Sequence, residues 1–236
     1  MRFKSLSEKS KTNIMMNKKM ILAFSTAASL ILFSCKKENV ATPGITYKIT
    51  TATASSVIPA GMMSGNLRWS SGYASVAELE FEAKSQTVEI EYKSEAKQKI
   101  DLFSPLSSLG VIVIPTGTYE DIEFEIEVQP NGSDAALYLS GNFISSTGVN
   151  TPILLTVKEA IEIESKKENI TITNGSILSA TTTLNLSLIS TGINESMLNN
   201  AIRTNGTIIL SSTSNSAIYE IMLRNLKTCG GVKIEG

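Results

Sequence analysis

The chain has 236 residues, of which 21 are basic and 22 acidic, and it contains two cysteines and no histidine. The lack of histidine excludes the usual activation of a serine or cysteine nucleophile and removes the commonest metal ligand. From Cys35 onward, 15 basic and 21 acidic residues remain, a net charge of −6. Nucleic acid is therefore not expected as a partner, because such binding depends on basic side chains that neutralise phosphates. We also predict no metal site, no cofactor and no enzymatic activity.

The N-terminal segment has the order of a secretory leader. Lys18 and Lys19 precede the uncharged run Met20–Phe33, which is too short for the roughly 20 residues of a membrane-spanning helix. Residues 1–34 are therefore predicted to be a lipoprotein signal peptide that is removed. Initiation at either methionine of 15–16 would give a shorter leader of the same kind.

The residues Leu32–Cys35 resemble the lipobox of bacterial lipoproteins, although Phe33 is bulkier than is usual at its position. The resemblance implies that Cys35 is lipidated and becomes the new N-terminus. Two or more acyl chains anchor a protein stably, since each buried CH₂ contributes ~0.8 kcal/mol. The alternative is an ordinary signal peptide with a cysteine near its end. If Cys35 carries lipid, Cys229 has no intramolecular partner and no disulfide forms.

After the cysteine, the polar segment 36–45 contains a Pro-Gly pair, which is typical of a flexible connection. We therefore predict a lipidated tether at 35–45 and a folded region at 46–236. About 200 residues are enough for one large β domain or for two packed sub-domains.

Strict alternation of apolar and charged residues is the strongest pattern in this region. It occurs in Ala77–Glu82, Val88–Lys93 and Ile122–Val128. Period two with charges on one side is typical of strands with one face in the core and one in water, and we expect antiparallel pairing. Further strands are predicted at Thr46–Thr53, Leu137–Asn142, Ile153–Thr156, Ala160–Glu164, Asn169–Thr173, Thr183–Leu188 and Thr207–Ser211.

Helical spacing is confined to the C-terminal third. Asn194–Ile202 predicts a short helix capped by its first residue, and Ser216–Leu226 predicts a second helix capped by Ser214 or Asn215. The glycines at 230–231 are expected to end the second helix. Many short strands and little helix predict a mainly β fold, an antiparallel β-sandwich with one or two short C-terminal helices.

Candidate ligand-binding residues are few. Trp69 and Tyr73 are the best candidates for an aromatic platform, and packing of Trp69 in the core is the stronger alternative. Tyr119 follows a Pro-Gly turn and is expected to have a structural role. Cys229 is interpreted as a small residue near a helix end. The glutamates around 120–127 alternate along a strand about 7 Å apart and are not expected to converge on a metal.

Three segments together resemble an uncharacterised group of Bacteroidetes lipoproteins with a DUF4382-like domain of unknown function. These segments are WSSGYAS at 69–75, IDLFSPLSSLG at 100–110 and VIPTGTYEDIEFEIEV at 113–128. The resemblance covers roughly residues 65–190 and implies a β-sandwich lipoprotein without catalytic residues. Lys36-Lys37-Glu38 loosely resembles the tag that sends some lipoproteins of these bacteria to the cell exterior. We therefore predict an outer-membrane lipoprotein, with the cell surface favoured over the periplasmic face.

Three functions remain open from the sequence. The first is a lipid-anchored cell-envelope protein, bound to the membrane through Cys35, with a non-enzymatic binding, adhesion or structural role. The second is a glycan-binding accessory lipoprotein of a polysaccharide-uptake system, which requires exposed aromatics around Trp69 and Tyr73. The third is a subunit related to fimbriae, which predicts polymers formed by donor-strand exchange.

Overall fold

A computed structural model of the chain describes residues 43–52, 55–60, 63–95, 97–104 and 107–236. The predicted leader, Cys35 and tether residues 36–42 lie outside the described residues. The first strand begins at Gly44, and Ile45 is 0 % exposed. The folded region therefore begins two residues before the predicted boundary, because Gly44 pairs with two neighbouring strands and does not continue the tether.

The described residues form fourteen strands in two sheets. In chain order the strands are β1 Gly44–Ala52, β2 Ser55–Ala60, β3 Met63–Lys84, β4 Glu89–Ser94, β5 Gln98–Asp101, β6 Ser108–Val113, β7 Gly117–Val128, β8 Leu137–Ile144, β9 Asn150–Val157, β10 Ile161–Ile172, β11 Ile177–Asn185, β12 Arg203–Thr204, β13 Thr207–Leu210 and β14 Gly230–Glu235. The small sheet has the order β14-β11-β1-β6, and the large sheet has the order β10-β7-β3-β8-β9-β13-β12. Strands β2, β4 and β5 also pair with β3. The predicted mainly β sandwich is confirmed.

The 22-residue strand β3 organises the large sheet. Along one edge of β3, β8 pairs with residues 66–74 and β7 pairs with residues 76–84. Along the other edge, β3 pairs in turn with β2, β5 and β4. The register shifts at Ser70 and again at Ala77. Each extra residue reverses which side chains face inward. Because of these two bulges, the buried side chains of β3 change phase twice along the strand, as shown by Leu67 and Trp69, then Ala74 and Val76, then Leu79 and Phe81.

The two sheets are joined through an aromatic and hydroxyl cluster. Tyr47 of β1 stacks on Phe124 of β7 with ring centroids 4.4 Å apart and planes 2° apart. The Tyr47 hydroxyl lies 2.6 Å from Thr182 Oγ1, which in turn lies 2.7 Å from Ser165 Oγ of the large sheet. Burial raises the pKa of Tyr47 to about 12, although the hydrogen bonds from Thr182 and Ser165 oppose the shift. The buried polar groups are thus paired, as the interior requires.

Two helices and a 3₁₀ turn follow β11. The 3₁₀ turn is Leu188–Ser190, α1 is Glu195–Asn199 and α2 is Ser216–Leu226. α2 packs against the 3₁₀ turn and β13 and buries an apolar stripe that includes Tyr219 and Met222. No helix among the described residues is both long and apolar enough to cross a bilayer. The buried apolar side chains of the two sheets and the helices form one continuous cluster.

The helix predicted at Ser216–Leu226 is confirmed with its bounds, whereas the one predicted at Asn194–Ile202 is shorter and covers only Glu195–Asn199. The predicted cap of α1 is confirmed. Asn194 accepts a hydrogen bond from Met197 N at 3.0 Å. The side-chain cap predicted for the start of α2 does not form. Asn215 occupies the N-cap position with φ 51° but makes no capping hydrogen bond. Its side chain instead bonds the backbone of Ile202 and Ile209, which holds α2 to β13.

Several strand predictions are corrected. Ala160–Glu164 and Asn169–Thr173 are parts of one strand, β10, and the strand predicted at Thr183–Leu188 lies earlier, at β11. We expected antiparallel pairing, but two pairs are parallel, β1 with β11 and β9 with β13. The sequence could not predict this, because alternation indicates which side of a strand is buried and not the direction of its neighbour. The glycines at 230–231 begin β14 and do not end α2. The predicted half-buried strand Val88–Lys93 overlaps β4, which in the described part of the chain pairs with β3 alone and remains largely exposed.

Candidate functional site

The predicted Trp69 and Tyr73 platform does not form. Trp69 is 1 % exposed, and its indole Nε1 has no hydrogen-bond partner among the described residues. Residues four apart normally share a face of a strand, but the bulge at Ser70 places these two side chains on opposite faces of β3. Trp69 is a core residue, so its indole offers no surface for a glycan to stack on. Cys35 lies outside the described residues.

Tyr73 is half-buried on the outer face of the large sheet. Its ring stacks on Tyr138 of β8, with centroids 5.5 Å apart, and Lys99 Nζ of β5 lies 3.9 Å from its centroid. Since β5 and β8 flank β3 on opposite sides, the two neighbours cover the ring from both sides. Asp134 holds Lys99 at 2.7 Å and raises its pKa. This occupied ring leaves no free aromatic face on Tyr73 for a sugar.

Sequence reasoning missed Tyr138 and Lys99. The alternation in Leu137–Asn142 places Tyr138 on the outer face, and that signal was present. The pairing of Tyr73 with Tyr138 depends on a register between residues 65 positions apart, which no local pattern contains.

A larger feature of the outer surface is a block of carboxylates, named here the glutamate face. Its three central members, Glu123, Glu125 and Glu127 of β7, lie directly opposite residues of both flanking strands. The cross-strand rows are Glu78–Glu127–Glu162, Glu80–Glu125–Glu164 and Glu82–Glu123–Lys166. Like charges directly opposite each other in a sheet are destabilising. Alternation predicted each row member separately, but only the register brings them side by side.

Desolvation and neighbouring carboxylates raise the pKa of two central members of the glutamate face. Desolvation and the charges of Glu162, Glu80 and Glu164 raise the pKa of Glu125 above its ordinary value. The pKa of Glu123 is raised as well, first by desolvation and then by Glu164. Glu123 and Glu125 therefore bind protons more readily than isolated glutamates do.

Few cations compensate the glutamate face. Lys93 of β4 contacts the carboxylates of Glu78 and Glu80, and these contacts raise its pKa and lower that of Glu80. Lys166 Nζ lies 3.4 Å from Asp121. Among the described residues, no three acidic or cysteine side chains are grouped closely enough to hold a metal ion. The face is therefore a diffuse negative surface and does not form a coordination site.

One end of the sandwich, named here the tether end, gathers β1's first residue and three loops at 85–88, 114–116 and 173–176. A cleft of about 560 Å³ opens there between the first two loops and Asn169. Tyr119 lies beneath it, and its hydroxyl donates to Pro115 O at 2.9 Å. The structural role predicted for Tyr119 is confirmed, because its side chain is buried and fixes the loop that precedes β7.

Two buried reactive groups have structural surroundings. Cys229 lies three residues after the end of α2, so the prediction of a small residue near a helix end holds. It is 2 % exposed, and burial raises the pKa of its thiol to about 12. Glu195 Oε1 accepts hydrogen bonds from Ser146 N and Oγ, each at 2.9 Å, and from Asn199 Nδ2 at 3.2 Å. Desolvation raises the pKa of Glu195, but these three donors together lower it below its ordinary value. Its role is to hold the β8–β9 loop against α1.

Comparison of the sequence with protein-family models found no match, and neither curated proteins nor solved structures gave one. The resemblance to the DUF4382-like lipoproteins stays a prediction.

Proposed function

We propose that this protein is a lipid-anchored cell-envelope protein of the outer membrane, attached through Cys35 and acting by binding or by a structural role without catalysis. The observation that carries the proposal is the order of the N-terminal segment, in which basic residues, an apolar run and Leu32–Cys35 are followed by a short connection. The first strand begins nine residues after Cys35, at Gly44. A short connection keeps a folded domain close to its anchor.

The surface of the described domain supports a role outside a catalytic pocket. The glutamate face is an extended charged surface, and charged surfaces of this kind favour electrostatic selection of partners. No observation favours the glycan-binding alternative over it, since Trp69 is buried and both sides of Tyr73 are occupied. Cell-surface exposure is the orientation we propose, on the charged residues that follow Cys35.

The anchor is tested with Cys35→Ala, expressed in a bacterium that processes lipoproteins. The wild type should enter the detergent phase on partition and carry acyl mass at residue 35, whereas the variant should stay in the aqueous phase. Cys229→Ser is the matched control, because it removes the other thiol and should leave partition unchanged. Retention of Cys35→Ala in the detergent phase would refute the anchor. Protease treatment of intact cells then separates an outward-facing domain, which is digested, from a periplasmic one, which is protected.

A further inference from the structure

The tether end is the part of the fold that the proposed anchor holds nearest to the membrane. Cys35 and Pro43 are eight residues apart, so a fully extended chain keeps their Cα atoms within about 29 Å of each other. β1 begins directly after Pro43 and enters the small sheet from this end. Contact of the tether end with that membrane rests on the proposed anchor at Cys35.

The described loops of the tether end carry no charged side chain. They read Ser-Gln-Thr-Val at 85–88, Ile-Pro-Thr at 114–116 and Thr-Asn-Gly-Ser at 173–176. This contrasts with the glutamate face on the flank of the same sandwich. A carboxylate held against a bilayer loses hydration, and anionic lipids repel it. Loops without carboxylates avoid this cost at a membrane surface.

Three exposed aliphatic side chains lie near two of these loops, those at 114–116 and 173–176. Val113 and Ile177 stand on either side of Gly44, in register with it, and are 62 % and 74 % exposed. Val111 lies two residues further along β6 and is also 62 % exposed. Gly44 has no side chain to separate them, and a Cβ there would lie 3.2 Å from Val111 Cγ1. Grouped exposed aliphatics mark a surface that meets an apolar partner.

We propose that the tether end is a membrane-contacting surface. Val111, Val113 and Ile177 enter the boundary between headgroups and acyl chains of the bilayer that holds Cys35, and the uncharged loops rest against the headgroups. Three side chains alone would bind a bilayer weakly, but the anchor already holds the domain at the bilayer, so their effective concentration at its surface is high. A second copy of the chain fits this surface less well, because the net charge of −6 makes two copies repel. The β8–β9 loop at 145–149, at the other end of β3, then faces away from the bilayer.

The test uses two variants of the lipidated full-length protein, each with one fluorophore, at the tether end in one and at the opposite end in the other. Cys229→Ser leaves the introduced cysteine as the reactive thiol, since the Cys35 sulfur carries lipid. Val113→Cys reports on the tether end, and Val149→Cys, 53 % exposed in the β8–β9 loop, is the matched control. Both proteins are reconstituted in phosphatidylethanolamine–phosphatidylglycerol vesicles, with and without nitroxide on the acyl chains. Lipidation of each sample is confirmed by intact mass and detergent partition.

We expect nitroxide quenching at Val113→Cys to exceed that at Val149→Cys by about twofold or more, since apolar surfaces enter the interface by roughly 5–10 Å. Adding Val111→Glu should reduce that quenching while lipidation persists. Equal quenching at both sites in lipidated protein would overturn the membrane-contacting surface and leave the anchor standing. A sample without acyl mass would overturn both. Fluorescence that shifts with protein density but is not quenched by nitroxide would show that a second copy covers the face, which also contradicts the proposal.

Discussion

Replacing one carboxylate at the centre of the glutamate face should stabilise the protein. Glu125 lies directly between Glu80 and Glu164, so Glu125→Gln removes two like-charge cross-strand pairs and keeps the shape of the side chain. Each such pair costs about 0.2–1 kcal/mol. These carboxylates are half-buried or exposed, so we take the lower part of that range and expect a gain of about 0.5–1 kcal/mol. For a domain of this size, the gain corresponds to a rise in Tm of about 2 °C.

The pH dependence has a defined sign. The pKa of Glu125 is raised in the folded protein above its ordinary value of 4.5. The folded state therefore binds this proton more tightly than the unfolded state does, and the wild type regains stability as pH falls through the raised pKa toward 4.5. The advantage of Glu125→Gln should accordingly be largest near pH 7 and shrink as pH falls through the raised pKa of Glu125, where the wild-type side chain itself becomes neutral.

Thermal unfolding followed by circular dichroism at pH 7 and pH 4, in low salt and in 1 M NaCl, measures both effects. Glu220→Gln is the control, because Glu220 is an exposed residue of α2 outside the glutamate face. The difference between the two variants should shrink in 1 M salt, where the screening length is about 3 Å. If Glu125→Gln lowered Tm at pH 7, or raised it equally in both salt conditions, like-charge repulsion across β7 would be the wrong explanation.

Three further changes probe the fold by the same unfolding assay. Gly141→Ala should destabilise the protein by about 1–3 kcal/mol or more, because the added Cβ would lie 2.1 Å from the backbone oxygen of Arg68. Gly231→Ala is the control and should be close to neutral, since its Cβ would meet nothing within 4 Å. Equal effects of the two changes would contradict the close approach of Gly141 to β3 at the bulge. Tyr47→Phe should cost about 0.5–1.5 kcal/mol by removing the hydroxyl bonded to Thr182, and an unchanged Tm would show that the bond contributes nothing net. Glu195→Ala should lower Tm at pH 7 but not at low pH. The pKa of Glu195 is lowered by folding, so its carboxylate stabilises the protein above the pKa of the unfolded chain, and this stability is lost as pH falls through the folded pKa. A loss of Tm that does not depend on pH would refute the role of the charge.

Prediction from sequence succeeded where a single element determines its own environment. In Ile122–Val128, every second side chain is apolar and is buried, because a strand offers one face to the core whatever its partners are. The span of α2 follows from helical spacing in the same way. Predictions failed where the structure of a segment depends on the strand with which it pairs. β14 begins with the two glycines that predict a helix end, and this segment becomes a strand because it pairs with the edge of β11.

The candidate surfaces show the same division. Trp69 and Tyr73 are four residues apart, and only the bulge at Ser70, which the close approach of Gly141 permits, sends them to opposite faces. The leader-like N-terminus, the acidic balance and the alternation can be read from the sequence alone, because each depends on composition or on neighbours along the chain. The alignment of glutamates across three strands and the gathering of three uncharged loops at the tether end depend on the tertiary structure, since register and topology bring together residues that are distant in the chain.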